Sequence, residues 1–354
     1  MFRLVADSKW RRNRLLILCY HGISRLDEHL WRPNLYMLPE VFEERLKILQ
    51  RGRYEVLALG EALQRLRAGG LPPRSVVITF DDGGYDFYAA AFPVIRRFGL
   101  PVTVYQTTYY GERPFPIFNL AFSYLLWQRR GSILSGGKAV GIDDVLDLRT
   151  EASRAEIVRS LVLLAEKKAL SGDAKNDMAA SLASLLSLSY EDLVASRRFQ
   201  IMTPAERSEL AAQGIDFQLH THRHRTPLDE TLFRREIRDN RKSLRELGAN
   251  AVHFCYPSGV YRPEFLPWLV KEGVVSATTC DVGFAGRQTD ALLLPRVIDT
   301  PGRSALEFEA WLSGAAFWTS LRKPARGKPP LAAGLISQSN NSSQSVLAKG
   351  CRED

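Results

Sequence analysis

Short apolar runs alternate with longer segments whose apolar residues recur at helical spacing. Runs such as Leu15–Tyr20 and Val76–Ile78 have no polar interruption, which is typical of strands buried on both faces of a parallel sheet. The segment Pro39–Gln50 carries its apolar residues on one helical face. Because strands and helices alternate, the pattern predicts a parallel α/β sheet with right-handed crossovers.

We predict strands over the apolar runs Leu15–Tyr20, Tyr54–Leu57, Arg74–Phe80, Pro101–Thr107, Ile215–Leu219, Ala251–Tyr256, Val274–Thr279 and Leu292–Ile298. We predict helices over Pro39–Gln50, Leu59–Ala68, Tyr85–Phe98, Pro204–Gln213, Asp229–Leu247, Pro263–Glu272 and Leu306–Leu321. Thr203 is the expected N-cap of the fourth helix, and Glu206 would complete a capping box. Residues 25–40 show no clear period and are predicted to be a loop.

Residues 109–200 interrupt the alternation of strands and helices. Glu151–Leu188 is rich in Ala, Leu, Lys and Glu at helical spacing, so we predict a helical insertion between two strands of the sheet. The aromatic segment Phe115–Trp127 is interpreted as a packed helix, with a lipid-facing or partner-facing surface as the alternative.

The positive charge is concentrated at the two ends of the chain. The 354 residues carry a formal net charge of +9. Residues 1–14 have five basic residues against one acidic residue, and residues 321–354 have six against two, so the body is nearly neutral. A neutral body argues against a nucleic-acid-binding groove, whereas basic ends suggest weak contact with an anionic membrane surface. We expect a basic arm over 1–14, a folded body over 15–320 and a disordered basic tail over 321–354.

The four cysteines, Cys19, Cys255, Cys280 and Cys351, are scattered and form no CxxC pair. They therefore predict neither a zinc–thiolate site nor a disulfide framework. The apolar run Leu15–Tyr20 is too short for a secretory signal and has no small-residue cleavage site after it. We expect a cytoplasmic protein, with peripheral contact to the inner membrane as a further expectation.

Two adjacent carboxylates follow the third predicted strand. Asp81 and Asp82 are followed directly by Gly83 and Gly84, whose backbones can turn sharply. Burying two acids at a strand end costs too much desolvation to serve packing alone. The alternative is an ordinary surface turn, where Asp and Gly are both common.

Three histidines lie within five residues after the strand Ile215–Leu219. His220 and His224 could converge on one cation if the chain turns into a helical loop, and Asp82 would complete the set. Two imidazoles and a carboxylate with open positions is the arrangement of catalytic zinc and related divalent metals. The alternative is a polar loop whose histidines cap a helix or face water. Of two adjacent acids, one can bind the cation while the other takes a proton from water that the cation activates, which would support ester or amide hydrolysis.

The sequence resembles the polysaccharide deacetylase (NodB-homology) family. Thr79–Gly83 and His220–His224 are similar to its first two motifs, and together they are specific. Phe254–Gly259 is similar to the third motif, whereas Leu294–Val297 and Tyr20–Gly22 resemble one branch of the family. The resemblance covers roughly residues 14–300, interrupted by the insertion.

The resemblance implies a distorted (β/α)₇ barrel that removes acetyl groups from N-acetylated sugars with a divalent metal. By position, Asp81 would be the general base, and Asp82, His220 and His224 would be the metal ligands. Thr221 would steady the histidine loop by hydrogen bonding. The expected metal is Zn²⁺, with Co²⁺, Ni²⁺ or Mn²⁺ as alternatives.

The resemblance also implies substrate-binding positions at Tyr256, Pro257 and Ser258, with a backbone N–H near Ser258 as the oxyanion donor. The expected partner is an N-acetylated polysaccharide, oligosaccharide or lipid-linked sugar, and we expect no nucleic acid.

Two departures from the family pattern concern catalysis. Many members have arginine where this chain has Cys255, and the chain has no histidine after His253 to serve as the family's general acid. The side chains that could replace it are His21, His222 and Arg296, although Arg is too basic to donate protons near neutral pH.

The leading hypothesis is therefore a metal-dependent carbohydrate de-N-acetylase. A deformylase or an O-deacetylase on the same scaffold is the alternative among enzymes. From a different class, the chain could be a catalytically weak carbohydrate-binding or scaffold protein.

Overall fold

A computed structural model of the chain describes residues 2–320, and the tail predicted over 321–354 lies outside the described residues. The strands are β1 (Arg14–Tyr20), β2 (Gly22–Ile23), β3 (Tyr36–Met37), β4 (Glu55–Val56), β5 (Ser75–Phe80), β6 (Thr103–Gln106), β7 (Ile133–Ser135), β8 (Val145–Asp147), β9 (Asp216–Leu219), β10 (His253–Cys255), β11 (Ser276–Val282), β12 (Ala285–Gly286) and β13 (Leu294–Ile298). The α-helices are α1 (Phe2–Ala6), α2 (Lys9–Arg12), α3 (Glu28–Trp31), α4 (Pro39–Arg51), α5 (Leu59–Ala68), α6 (Phe92–Phe98), α7 (Phe118–Gln128), α8 (Glu151–Lys167), α9 (Gly172–Leu185), α10 (Tyr190–Ala195), α11 (Pro204–Ala212), α12 (Glu230–Arg245), α13 (Phe265–Lys271), α14 (Ala305–Ser313) and α15 (Ala315–Ser320).

Seven parallel strands close into a barrel. Their order is β1-β13-β11-β10-β9-β6-β5, and β5 pairs back onto β1. β4 lies beside β5, and β12 pairs antiparallel with β1 at the edge of the barrel. Because the strands alternate with helices and the sheet closes on itself, the predicted (β/α)₇ barrel is confirmed.

The uninterrupted apolar runs follow from burial on both faces of the strands. In β1, Leu16 and Leu18 belong to one buried cluster, whereas Leu15 and Ile17 belong to a second cluster. Successive side chains of a strand point to opposite faces, so a strand covered on both sides has no position for a polar residue that faces water.

The strand register brings several carboxyl ends to one end of the barrel. Tyr20 of β1 pairs with Phe80 of β5, and Gln106 of β6 pairs with Leu219 of β9. Phe254 of β10 also pairs with Leu219. The residues that follow these strands therefore lie at one end, which we call the carboxyl rim. Functional groups of parallel α/β barrels gather at this end.

Several local elements differ from the sequence prediction. The predicted loop over 25–40 contains α3 and β3, and β3 pairs with β2 through only two residue pairs, too few to produce a visible period. The helix predicted over Tyr85–Phe98 contains a π-helical turn, Phe87–Ala91, near its start. The last predicted helix breaks at Gly314, whose φ of 90° is left-handed and ends α14. The capping box of Thr203 and Glu206 is confirmed.

The first residues of the chain are folded onto the barrel unit. α1 and α2 precede β1, and the Arg11 side chain is fully buried. Its guanidinium donates to the carbonyl oxygens of Leu312 at 3.0 Å, Arg14 at 2.7 Å and Ser75 at 3.0 Å. One basic residue of the predicted arm therefore connects the chain start to α14 and β5.

Residues 114–200 form a separate compact unit. Its helix α7 contacts α8 and α9 and buries Phe122, Leu125 and Leu126, so Phe115–Trp127 contains a packed helix, as predicted. A two-stranded antiparallel hairpin, β7–β8, is also present and was not predicted, because its strands have only three residues each. Within residues 2–320, no helix is both long enough and apolar enough to span a membrane.

Candidate functional site

Three predicted metal ligands meet at the carboxyl rim. The Oδ1 atom of Asp82 lies 3.2 Å from Nε2 of His220 and 3.0 Å from Nε2 of His224. Asp82 follows β5, and both histidines follow β9. Both imidazoles are buried, whereas the Asp82 side chain is 42% exposed, so the cluster is open on the carboxylate side. We call these three residues the metal triad.

Hydrogen bonding shows that the metal triad fits a cation. Nδ1 of His220 lies 2.9 Å from the carbonyl oxygen of Cys255, which can only accept, so Nδ1 carries the proton. In the neutral ring, Nε2 then presents a lone pair to the Asp82 carboxylate, and two acceptors at this distance require positive charge between them. This second-sphere bond also orients the imidazole, as in known metal sites.

The pKa shifts agree with this need for positive charge. Burial would raise the pKa of Asp82, but His224 and His220 hold it well below its ordinary value. Burial would lower the pKa of His220, but Cys255 and the carboxylates of Asp82 and Asp81 raise it well above its ordinary value. When no metal is present, a proton supplies the positive charge that the Asp82 carboxylate requires. A divalent cation can take the place of this proton.

The backbone around the metal triad adopts left-handed conformations that non-glycine residues rarely occupy. Asp82 has φ 70°, Thr221 has φ 62° and His224 has φ 55°. The histidine segment is thus a tight irregular turn, and the helical loop considered for it is wrong. The Oγ1 atom of Thr221 accepts a hydrogen bond from the N–H of Arg225 at 3.0 Å, so Thr221 does steady this turn.

Gln106, which the sequence analysis missed, supports the Asp82 turn. Its side-chain amide donates to the carbonyl oxygens of Asp82 and Gly83, both at 3.3 Å, and of Thr107 at 2.6 Å. Gly83 has φ 74°, and a Cβ atom there would lie 2.0 Å from the Gln106 side chain. The left-handed conformation therefore favours glycine at position 83, and a larger residue there would displace the Gln106 amide.

Two buried polar residues of α12 hold the histidine turn, and the sequence analysis missed both. Asn240 Oδ1 accepts from the N–H of His220 at 3.0 Å, and its Nδ2 donates to the carbonyl of Gln106 at 2.9 Å. Glu236 Oε2 accepts from the N–H of Arg223 at 2.7 Å. The signal for them was present, because they are polar residues on the buried face of α12, next to Phe233 and Ile237.

Asp81 lies in the barrel interior, where Arg296 binds both of its oxygens. Nη1 and Nη2 of Arg296 donate to Oδ1 and Oδ2, each at 2.7 Å, and Arg296 is fully buried. Burial would raise the pKa of Asp81, but the Arg296 guanidinium holds it far below its ordinary value. The arginine that the family resemblance places at position 255 is thus supplied from β13 instead. Two thiols, Cys19 and Cys255, each lie 3.5 Å from Asp81 Oδ2.

The side chains considered as replacement acids occupy different environments. His21 Nε2 lies 3.8 Å from Asp81 Oδ2, and the His21 side chain is 24% exposed. His222 Nδ1 lies 2.8 Å from Thr108 Oγ1, and burial, with Arg223 nearby, lowers the pKa of His222. Arg296 is enclosed and committed to Asp81. Of these groups, His21 is the one that adjoins Asp81 and still reaches solvent.

The predicted substrate-binding positions differ in accessibility. Tyr256 is fully buried and its hydroxyl donates to the carbonyl of Leu292 at 3.1 Å, and Pro257 is also buried. Ser258 is partly exposed and has a left-handed φ of 56°. Of these three positions, Ser258 is therefore the accessible one.

Known proteins were compared with the sequence and with the fold. No model of a known protein family matches the chain. The chain is 27% identical over 99 residues to a poly-β-1,6-N-acetyl-D-glucosamine N-deacetylase of Escherichia coli K12, covering 28% of the chain and 14% of that protein. It is 29% identical over 118 residues to the Staphylococcus aureus MSSA476 protein of the same name, covering 30% of the chain and 41% of that protein. The chain thus spans less than half the length of these curated relatives.

The fold comparison covers most of the chain. The Streptococcus pyogenes deacetylase PplD, solved in complex with acetate, aligns with a TM-score of 0.55 and 19% identity. The alignment covers 83% of this chain and 96% of PplD, so the barrel is shared. This likeness shows a shared barrel fold, and the sequence relatives, which are named as polysaccharide N-deacetylases, agree with the resemblance to the polysaccharide deacetylase family.

Proposed function

We propose that this protein is a metal-dependent hydrolase that removes N-acetyl groups from an amino-sugar substrate. The single observation that carries the proposal is the meeting of Asp82, His220 and His224 around one point, with the spare carboxylate of Asp81 one residue away. The carboxylate and imidazole donors favour Zn²⁺, and Co²⁺, Ni²⁺ and Mn²⁺ also accept such donors.

Each residue has a distinct task in the proposed reaction. The metal triad holds the cation, which when bound polarises the acetyl carbonyl and lowers the pKa of water. Asp81 acts as the general base, and its ion pair with Arg296 keeps it ionised and fixed in orientation. His21 donates the proton to the leaving amine, because it adjoins Asp81 and reaches solvent. The backbone N–H near Ser258 stabilises the developing oxyanion.

The names of the relatives support an N-acetylated carbohydrate as the substrate. Both curated relatives are named as N-deacetylases of poly-β-1,6-N-acetyl-D-glucosamine. We therefore propose oligomers of β-1,6-linked N-acetylglucosamine as the first substrates to test.

The test is acetate release from these oligomers by purified protein that is stripped of metal and then reloaded with Zn²⁺. Asp81→Asn should lower kcat by about 10²- to 10⁴-fold, because it removes the general base. The matched control is Asp281→Asn, a partly exposed aspartate at the end of β11, which should stay near the wild-type rate. Equal rates for wild type and Asp81→Asn would refute the proposed role. Formate release from N-formylated oligomers, with no acetate release from acetylated ones, would point to a deformylase.

Metal dependence is tested separately from the reaction. His224→Ala should lower zinc content below one equivalent and abolish acetate release together. A fully active His224→Ala protein without bound metal would rule out the metal triad as the catalytic centre.

A further inference from the structure

Beside the metal triad lies a second cluster of metal-ligating side chains. Cys19 is the last but one residue of β1, His21 directly follows that strand, and Asp81 follows β5. We propose that Cys19, His21 and Asp81 form a second, weaker site for a thiophilic divalent cation such as Zn²⁺ or Cd²⁺, and that cation binding there inhibits the protein.

The separations of the three donor groups suit one cation. Cys19 Sγ lies 3.5 Å from Asp81 Oδ2, and His21 Nε2 lies 3.8 Å from the same oxygen. Cys19 Sγ lies 4.0 Å from His21 Nδ1, and one donor atom from each residue falls within 4.8 Å of the other two. Ligands of a tetrahedral zinc ion are about 3.3–3.8 Å apart, given the usual Zn–S and Zn–N distances. The donor atoms of Cys19, His21 and Asp81 would therefore move closer together when a cation binds.

Asp81 and His21 retain the capacity to bind a cation, whereas burial raises the pKa of the Cys19 thiol, so that its thiolate forms only together with the bound cation. Asp81 Oδ2 accepts from Arg296 Nη2 at 2.7 Å and from the Cys19 and Cys255 thiols at 3.5 Å, and a bound cation would take the place of the Cys19 proton beside this oxygen. His21 is partly exposed, so a cation can enter from the carboxyl rim along its ring. The Arg296 guanidinium repels an added positive charge, which makes this site weaker than the metal triad.

A competing cluster of Cys255, His220 and Asp81 has similar dimensions but lacks free donors. His220 is committed to the Cys255 carbonyl through Nδ1 and to the metal triad through Nε2. Cys255 Sγ also accepts from Arg296 Nη2 at 3.1 Å. Once a cation fills the metal triad, His220 is no longer available to the Cys255 cluster. The Cys19 cluster still has the imidazole of His21 as a ligand. Cys255 is a matched control, because its thiol is as close to Asp81 as that of Cys19.

Cation binding at this second site releases the Cys19 thiol proton to the buffer, because a thiolate is the ligand. The thiolate favours Zn²⁺ and Cd²⁺ over Mn²⁺ and Mg²⁺. The inhibition rests on the proposed function, in which Asp81 and His21 handle protons and would both be occupied. Excess zinc would therefore inhibit, whereas excess manganese would not.

Binding is tested without substrate, by titrating metal-free protein with Cd²⁺ under reducing conditions. We expect the wild-type protein to bind two equivalents of Cd²⁺. The thiolate-to-cadmium charge-transfer band should appear as the second equivalent binds. Cys19→Ser should lose the band and should lower the affinity for the second Cd²⁺ ion at least about tenfold. Cys255→Ser should keep the band and the affinity for both ions. A single equivalent in wild type, or a band that survives in Cys19→Ser, would overturn the proposal. Cys19→Ala, checked by circular dichroism, replaces the serine variant if that one does not fold.

Inhibition is tested on protein already loaded with one equivalent of Zn²⁺. Acetate release should fall as Zn²⁺ is raised further, and the inhibitory concentration should rise about tenfold in Cys19→Ser, each variant being compared with its own uninhibited rate. Equal inhibition of Cys19→Ser and Cys255→Ser would contradict the assignment. A protein without deacetylase activity that still shows the cadmium band would refute the proposed function and leave the second site intact.

Discussion

At the scale of single residues, the pair of Asp81 and Arg296 determines the ionisation state of the carboxylate that we propose as the general base. A buried carboxylate without a partner takes up a proton, because burial disfavours its charge. Arg296 prevents this through two parallel hydrogen bonds of 2.7 Å to the two oxygens. A planar guanidinium fixes both the charge and the orientation of the carboxylate, which an ammonium group cannot do.

Arg296→Lys is expected to lower kcat/KM for acetate release by about 10²-fold, the usual cost of a small misplacement of a catalytic group. Zinc content should stay at one equivalent, because the metal triad does not include Arg296. The control is Arg287→Lys, an exposed arginine after β12, which should behave as wild type. Wild-type kcat/KM in Arg296→Lys would show that the two-bond contact does not position the base.

At the scale of elements, α12 holds the histidine turn in place. Asn240 is fully buried and binds the backbone of His220 at the end of β9 and of Gln106 at the end of β6. It thereby fixes the spacing of two neighbouring strand ends. The left-handed residues of the turn can persist because such bonds hold them there.

Asn240→Ala is expected to weaken zinc binding about 10- to 100-fold, the usual effect of removing an outer-sphere partner. The measurement is a zinc titration against a chromophoric chelator. Lys242→Ala, an exposed change on the same helix, is the control and should bind zinc normally. Asn240→Asp keeps the acceptor for His220 but loses the donor to Gln106. Its zinc affinity should therefore lie between those of the wild type and Asn240→Ala. Unchanged affinity in Asn240→Ala would exclude the proposed support.

At the scale of the whole molecule, the start of the chain closes one side of the barrel unit. Arg11 is fully buried and binds carbonyl groups of α14, β5 and the start of β1. These contacts join segments that lie 64 and 301 residues away from Arg11. Without the guanidinium, three carbonyl groups would lose their donor in or near the core.

Arg11→Met should lower the free energy of unfolding by about 3 kcal/mol, roughly 1 kcal/mol for each carbonyl that loses its hydrogen bond. Urea unfolding followed by circular dichroism measures this change. Arg12→Ala removes the exposed neighbouring arginine and should change the free energy by less than about 0.5 kcal/mol. Equal effects of the two substitutions would mean that the Arg11 contacts add no stability.

Local patterns were sufficient for most of the secondary structure and for the prediction that Asp82, His220 and His224 lie close together. Strands buried on both faces leave uninterrupted apolar runs, so β1 and β5 were predicted within a few residues, as were the amphipathic helices α4 and α5. Asp82, His220 and His224 were found because each directly follows a strand, and parallel strands end together. A strand and the residue that directly follows it are recognised from adjacent positions. Such features can therefore be predicted from the sequence alone.

The tertiary structure decided which distant side chains meet. Arg296 lies 215 residues from Asp81, and Asn240 lies 134 residues from Gln106, so their contacts depend on barrel closure and strand register. The same closure places Cys19 and His21 beside Asp81 and buries Arg11, although composition suggested only a basic arm. Local patterns specify which residues form strands and which reactive side chains follow them. The distances between those side chains are set by the long-range pairing of the strands.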